Sequence, residues 1–108
     1  MVVANTIFVS GMTGFDSATM TISPDIVEQM RQCLANIEIA LKQANATMAD
    51  VVCVRYMLPS AEDFPKTWPT LREVFGEIRP AATMFEARLA DPRMKIEIEV
   101  QAVIRANI

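Results

Sequence analysis

The chain contains no histidine, and only two cysteines and three glycines, among its 108 residues; aromatic residues make up 6%. The missing histidine removes the commonest metal ligand and general base, so a Ser-His-Asp or Cys-His mechanism within one chain is excluded. Cys33 and Cys53 are too few and too unpatterned for a disulfide framework or a zinc site. No apolar run approaches the ~20 residues of a membrane span, and the opening MVVANTIFVSG lacks the basic region of a secretory signal. A cytoplasmic protein with no membrane contact is expected. Ten Lys and Arg against 13 Asp and Glu give a net charge of -3, and the cations are scattered along the chain. A basic face for nucleic acid is therefore not expected. Carboxylates, hydroxyls, thiols and lysines are left for acid–base chemistry, with no metal and no cofactor anticipated.

What the chain has in excess is apolar surface. Hydrophobic residues make up 52%, eight of them Met, in a chain long enough for one domain, 1–108. A domain of that size buries about two thirds of its unfolded surface, which leaves more apolar surface than a small monomer hides comfortably. Self-association follows as an expectation.

The sequence NTIFVSG alternates as a strand ending at Gly11, and Met12 to Ile22 reads as a turn with poor strand character. A long helix follows, with Ser23 as N-cap, Pro24 at its first position, and one stripe of Ile26, Met30, Cys33, Ile37, Leu41 and Ala44. Val51 to Leu58 is a β-branched central strand. A second helix carries Phe64, Trp68, Leu71 and Phe75 on one face, with Asp63 able to cap it, Gly76 able to close it, and Pro69 making its start irregular. Thr83 to Leu89 and Lys95 to Arg105 read as a strand pair around a tight Asp91-Pro92 turn. The result is an α+β fold with both helices on one face of a single mixed sheet. In the last strand Ile96, Ile98, Val100 and Ala102 point towards the helices, and Glu97 and Glu99 point to the uncovered face.

Two readings of those glutamates stay open. They form either a solvated face or, if an oligomer partner covers it, a desolvated acid–base group. Ser10 after the first strand could present a hydroxyl or serve only as turn chemistry. Trp68 and Phe64 fit core or interface packing as readily as a ligand wall. Cys53, in an apolar strand without a neighbouring base, reads as an inert thiol.

The segments IFVSG, QMRQCLANIEIALKQANATMADVV, SAEDFPKTWPTLREVFG and RPAATMFEARLADPRMKIEIEVQAV together resemble the reactive intermediate deaminase family, known as RidA or YjgF and labelled endoribonuclease L-PSP. The resemblance implies a chorismate-mutase-like subunit whose open sheet face is buried in a homotrimer, with small-molecule clefts between subunits. It further implies hydrolysis of enamines and imines to carbonyl compounds and ammonia. By motif position Glu97 matches the family's catalytic acid, and Ser10 a cleft serine. Trp68 is a further candidate for the substrate-binding wall.

Two positions depart from the family pattern. The arginine that clamps the substrate carboxylate is replaced by Ala82 in Pro80-Ala81-Ala82, and a cleft cysteine by Met84. A charge-assisted guanidinium–carboxylate contact contributes roughly 1.5–3 kcal/mol, so an imino acid would bind one to two orders of magnitude more weakly without it. Arg79, Lys66 and Arg55 stay open as substitutes, whereas Arg88 lies too far along its strand. The resemblance also begins without a Gly-Pro-Tyr segment, which implies a more open cleft. Two functions follow: a deaminase with an altered intersubunit site, or a non-catalytic small-ligand-binding or regulatory module using the same cleft. Ribonuclease activity, with no histidine and no basic patch, ranks last.

Overall fold

The first helix shows how closely the local chemistry follows the sequence. The computed structural model describes residues 1–104, and in it α1 spans Ile26–Gln43. Its N-cap is Asp25, whose carboxylate accepts from the Glu28 amide at 3.1 Å. The expected cap at Ser23 is thus displaced by two residues. Asp25 has the extended backbone an N-cap requires, and Ser23 Oγ accepts from the Asp25 amide at 3.1 Å, which leaves Pro24 outside the helix. The predicted stripe is buried from Ile26 through Leu41, joined by Leu34 and Gln29, while Ala44 is only partly covered.

The described residues also form seven strands. They are β1 (Val2–Val3), β2 (Thr6–Thr13), β3 (Phe15–Asp16), β4 (Thr21–Ile22), β5 (Val51–Leu58), β6 (Ala81–Glu86) and β7 (Glu97–Val103). A mixed sheet takes the order β1-β2-β7-β5-β6, and β3 and β4 form a separate small ladder. The first strand does not end at Gly11 but runs on to Thr13, and the segment read as a turn carries the β3–β4 pair.

The expected strand pairing at the C-terminal end is wrong. β6 and β7 are not neighbours, because β5 lies between them, parallel to β6 and antiparallel to β7. A strand–helix–strand crossover lays its second strand parallel beside its first, so the chain from β5 through the second helix must place β6 against β5. The segment 87–96 then has to cross to the other edge of β5. It turns at Asp91, whose carboxylate accepts from the Arg93 amide at 2.8 Å. The described part of the last strand is Glu97–Val103; Arg105 lies outside the described residues.

The second helix starts irregularly, as Pro69 required. A 3-10 stretch, Ala61–Thr67, passes through Pro65 and leads into α2, Trp68–Phe75, with Pro69 in the first turn where no amide is needed. Asp63 does not cap it. Its carboxylate accepts from Lys66 Nζ at 2.9 Å instead.

Core and open faces separate as the alternation predicts. Ile7, Val9, Val54, Tyr56, Leu58, Ile98, Val100 and Ala102 are buried under the helices. On the other face Phe8 and Phe85 remain 40% and 42% exposed.

Candidate functional site

Glu97 sits opposite Met57 and Thr13 on the open face of β7. Its placement depends on an irregularity in β2. Between Val9↔Val100 and Met12↔Ile98, Ser10 and Gly11 together face the single residue Glu99, which makes a β-bulge. The extra residue reverses the alternation, so Met12 turns inward and Gly11 stays out. The Glu97 carboxylate then occupies the space that a side chain at residue 11 would need: a Cβ built on Gly11 would collide with Glu97 Oε2. Glycine here provides room, since none of the three glycines has a positive φ.

The two glutamates differ in their partners. Glu99 accepts from Arg55 Nη1 at 2.7 Å across the β5–β7 pair. Glu97 is half-buried and has no ion pair among the described residues. The start of β7 is fixed by Gln29, a fully buried side chain on α1. Its Nε2 donates to Ser23 O at 2.7 Å and Arg93 O at 2.9 Å, and its Oε1 accepts from the Lys95 amide at 2.8 Å. Cys33 lies beneath, with Sγ directed to Ile96 O. Burial, and then the negative charge of Glu97, push its thiol up to about 12, so it is no nucleophile.

The remaining candidates lie elsewhere. Trp68 and Ala82 line a cleft of about 440 Å³ between α2 and β6, together with Tyr56, Leu71, Phe75 and Arg72. Ala82 is in register with Val54 and Met84 with Tyr56, so both point to the helix side of the sheet. Ser10 lines a smaller groove with Phe8, Glu99 and Gln101. The structure therefore brings Ser10 close to the glutamates and Trp68 close to Ala82, but does not join the two groups. Glu97 and Ala82 lie two strands, or about 10 Å, apart across the sheet and on opposite faces of it, and Ser10 lies one strand further off.

Of the three cations left open as substitutes, Arg55 is held by Glu99 and Lys66 by Asp63. Arg79 lines the cleft, and so does Arg72, which the sequence reading did not single out. The signal for Arg72 was its spacing, one helical turn after Trp68 and hence on the same face. Gly11 was also missed, because the bulge that exposes it leaves no mark in the strand's alternation.

Comparison with known proteins places these features in a family. The family model described as endoribonuclease L-PSP matches residues 1–104. A RutC family protein of Pyrococcus abyssi is 37% identical over 101 residues, covering 93% of this chain and 80% of that protein. A 2-iminobutanoate/2-iminopropanoate deaminase of Capra hircus is 30% identical over 104 residues, covering 95% and 76%. The crystal structure of the YjgF gene product of E. coli superposes with a TM-score of 0.89 at 29% identity, covering 97% of this chain and 85% of that one. The α+β subunit is thus shared across the family in both sequence and shape, and the chain belongs to the endoribonuclease L-PSP family, also called the RidA/YjgF family.

Proposed function

We propose that the protein hydrolyses an enamine or imine to a carbonyl compound and ammonia, at a site assembled between copies of the chain, with Glu97 as the acid–base group. The observation that carries this reading is the contrast between the two open-face glutamates. Glu99 is tied to Arg55, whereas Glu97 has no cation partner among the described residues and is seated against Gly11 in a bulge, the kind of irregularity that re-aims groups beside active sites. The iminobutanoate deaminase named among the relatives supports the reaction class.

In this reaction water adds to the C=N carbon. An enamine reaches this imine by moving its N–H proton to the β-carbon. One proton of the added water passes through the Glu97 carboxylate to the nitrogen. In the collapse of the carbinolamine to C=O its hydroxyl proton follows the same route to the departing nitrogen, which leaves as ammonia. Glu97 accepts and returns one proton in each of these two steps, so it ends as it began and no redox partner is needed. A homotrimer with its open sheet faces inward is the assembly proposed. Half-exposed Phe8 and Phe85 give such a face apolar contacts to bury, and a neighbouring copy would bring the Trp68–Ala82 cleft up to Glu97. Ser10 would border the same site. The location that goes with this chemistry is the cytoplasm; among the described residues no helix is long and apolar enough to cross a membrane.

The test is ammonia release from freshly generated 2-aminoacrylate and 2-iminobutanoate. Glu97→Gln should lower it by about 10²-fold or more, in line with the loss of a general acid–base group. Equal rates in the two proteins would remove Glu97 from the chemistry. The second reading, a binding module without turnover, is favoured by Ala82 and Met84, which carry no charge on the cleft side. If the parent protein releases no ammonia and Ala82→Arg does, the second reading replaces the first.

A further inference from the structure

The cleft between α2 and β6 has a composition that hydrolysis alone does not require. Its walls are rings and aliphatic groups from Tyr56, Trp68, Leu71 and Phe75, its charged residues are Arg72 and Arg79, and among the described residues no carboxylate lines it. Arg31, Arg55, Lys66 and Arg93 are engaged in ion pairs; Arg72 and Arg79 form none among the described residues. Two guanidinium groups beside a concave apolar wall, with no acid among the described residues to neutralise them, favour an anion that carries apolar surface.

Trp68 is held for such a role. It is 52% exposed, yet its ring meets Phe64 edge-on at 6.3 Å, and Phe64 packs on buried Tyr56 at 5.3 Å. Arg79 is held at φ 51, a left-handed conformation that glycine adopts more readily. Its amide donates to Phe75 O at 2.9 Å and closes the turn after α2, and the following Pro80 disfavours the right-handed helical alternative. An arginine in this position, at the mouth of a cleft, is the kind of backbone outlier that accompanies a functional side chain.

We infer that the cleft binds an aromatic or large branched 2-oxo or 2-imino acid, with the apolar group on the Trp68–Phe75 wall and the carboxylate on Arg72 and Arg79. Ala82, with its small side chain, leaves room beneath the ligand, and about 440 Å³ is ample for one ring and a three-carbon acid. A short acid such as pyruvate would leave the rings uncovered, and a neutral aromatic would leave both guanidinium groups unpaired. The inference deepens the proposed function and rests on it for the imino group, but not for the binding itself.

The experiment is calorimetric titration with three probes, phenylpyruvate, pyruvate and phenylacetone, with emission of the single tryptophan, Trp68, read in parallel. Phenylpyruvate should bind about tenfold or more tightly than either of the others, and Arg72→Gln/Arg79→Gln should remove about that factor. Both arginines are exposed, so the double variant is expected to fold. Arg79→Gly, which suits the left-handed backbone, gives a second variant that should keep the fold while weakening phenylpyruvate. Equal affinity for phenylacetone, no loss in the arginine variants, or no phenylpyruvate binding at millimolar concentration would each overturn the inference. Glu97→Gln separates the two ideas. Retained phenylpyruvate binding without ammonia release in any variant, parent included, leaves this inference standing and the hydrolytic reading fallen. Hydrolysis of small imines without phenylpyruvate binding does the reverse.

Discussion

Gly11 and Glu97 share one volume: the carboxylate of Glu97 lies where the Cβ of any other residue at position 11 would stand. A bulge in one strand and an acid in its neighbour are thereby made dependent on each other. The colliding atoms belong to the far end of a flexible side chain, so the acid can give way without disturbing the backbone. Gly11→Ala should lower stability by no more than about 1 kcal/mol while it displaces Glu97 and reduces ammonia release at least tenfold. Thermal melts alongside initial rates check this, and an unchanged rate would mean that the position of Glu97 against Gly11 is immaterial.

Gln29 is the largest of the buried polar side chains among the described residues, the others being Thr67 and Thr70. Gln29→Leu leaves the Ser23 and Arg93 carbonyls and the Lys95 amide without their partner and should destabilise the fold by about 2–4 kcal/mol in urea denaturation. Because Lys95 is two residues before Glu97, the variant should also lose turnover out of proportion to any change in KM. A stability within about 0.5 kcal/mol of the parent would show that water replaces all three bonds.

The Arg55–Glu99 pair reports on what covers the open face. Its side chains are 45% and 37% exposed in one chain, and such a pair contributes about 0–1 kcal/mol, screened by salt. Covered by neighbouring copies, it should couple more strongly and depend less on salt. A double-mutant cycle of Arg55→Ala and Glu99→Ala, read by denaturation at low and high salt, should therefore exceed the value for an exposed pair. A coupling that vanishes in salt would mean the face is wet.

Alkaline pH probes the core. The Cys33 thiol is raised to about 12 chiefly by burial, so the folded chain holds its proton at a pH where the unfolded chain releases it. The stability this represents is complete below the unfolded thiol range and is lost as pH rises from about 8.5 towards about 12. The urea midpoint should fall over that interval more steeply in the parent than in Cys33→Val. At pH 8, iodoacetamide should leave buried Cys33 intact in the folded protein and modify it once the chain is unfolded in urea. Parallel slopes for the parent and Cys33→Val would contradict the assignment.

The fold was largely legible because periodicity and turn chemistry are local. The α1 stripe, the alternation of Glu97 and Glu99 against Ile98 and Val100, and the irregular start at Pro69 all follow from spacing alone. Pairing is not local. Nothing in Thr83 to Leu89 or Lys95 to Arg105 states that β5 lies between them, and a short Asp-Pro turn favours the wrong neighbour. The candidate site was legible only as a set of positions. Glu97 could be named from a motif, but its seat on Gly11 required the bulge, and the separation of Glu97 from Ala82 by a sheet face required the true strand order. Spacing alone put Arg72 on the Trp68 face, but its place in the cleft required α2 beside β6.

That separation gives the account its sharpest consequence, because the Glu97 side and the Ala82 side can act together only across copies. The decisive measurement is complementation between Glu97→Gln and Ala82→Glu, the latter putting a carboxylate into the cleft. Each should be inactive alone, and subunits mixed by co-refolding in equal amounts should recover about a quarter of the parent's ammonia release, the share of interfaces that pair an intact acid with an intact cleft. No recovery from mixed assemblies, with both variants folded and exchanging, would contradict a site shared between subunits.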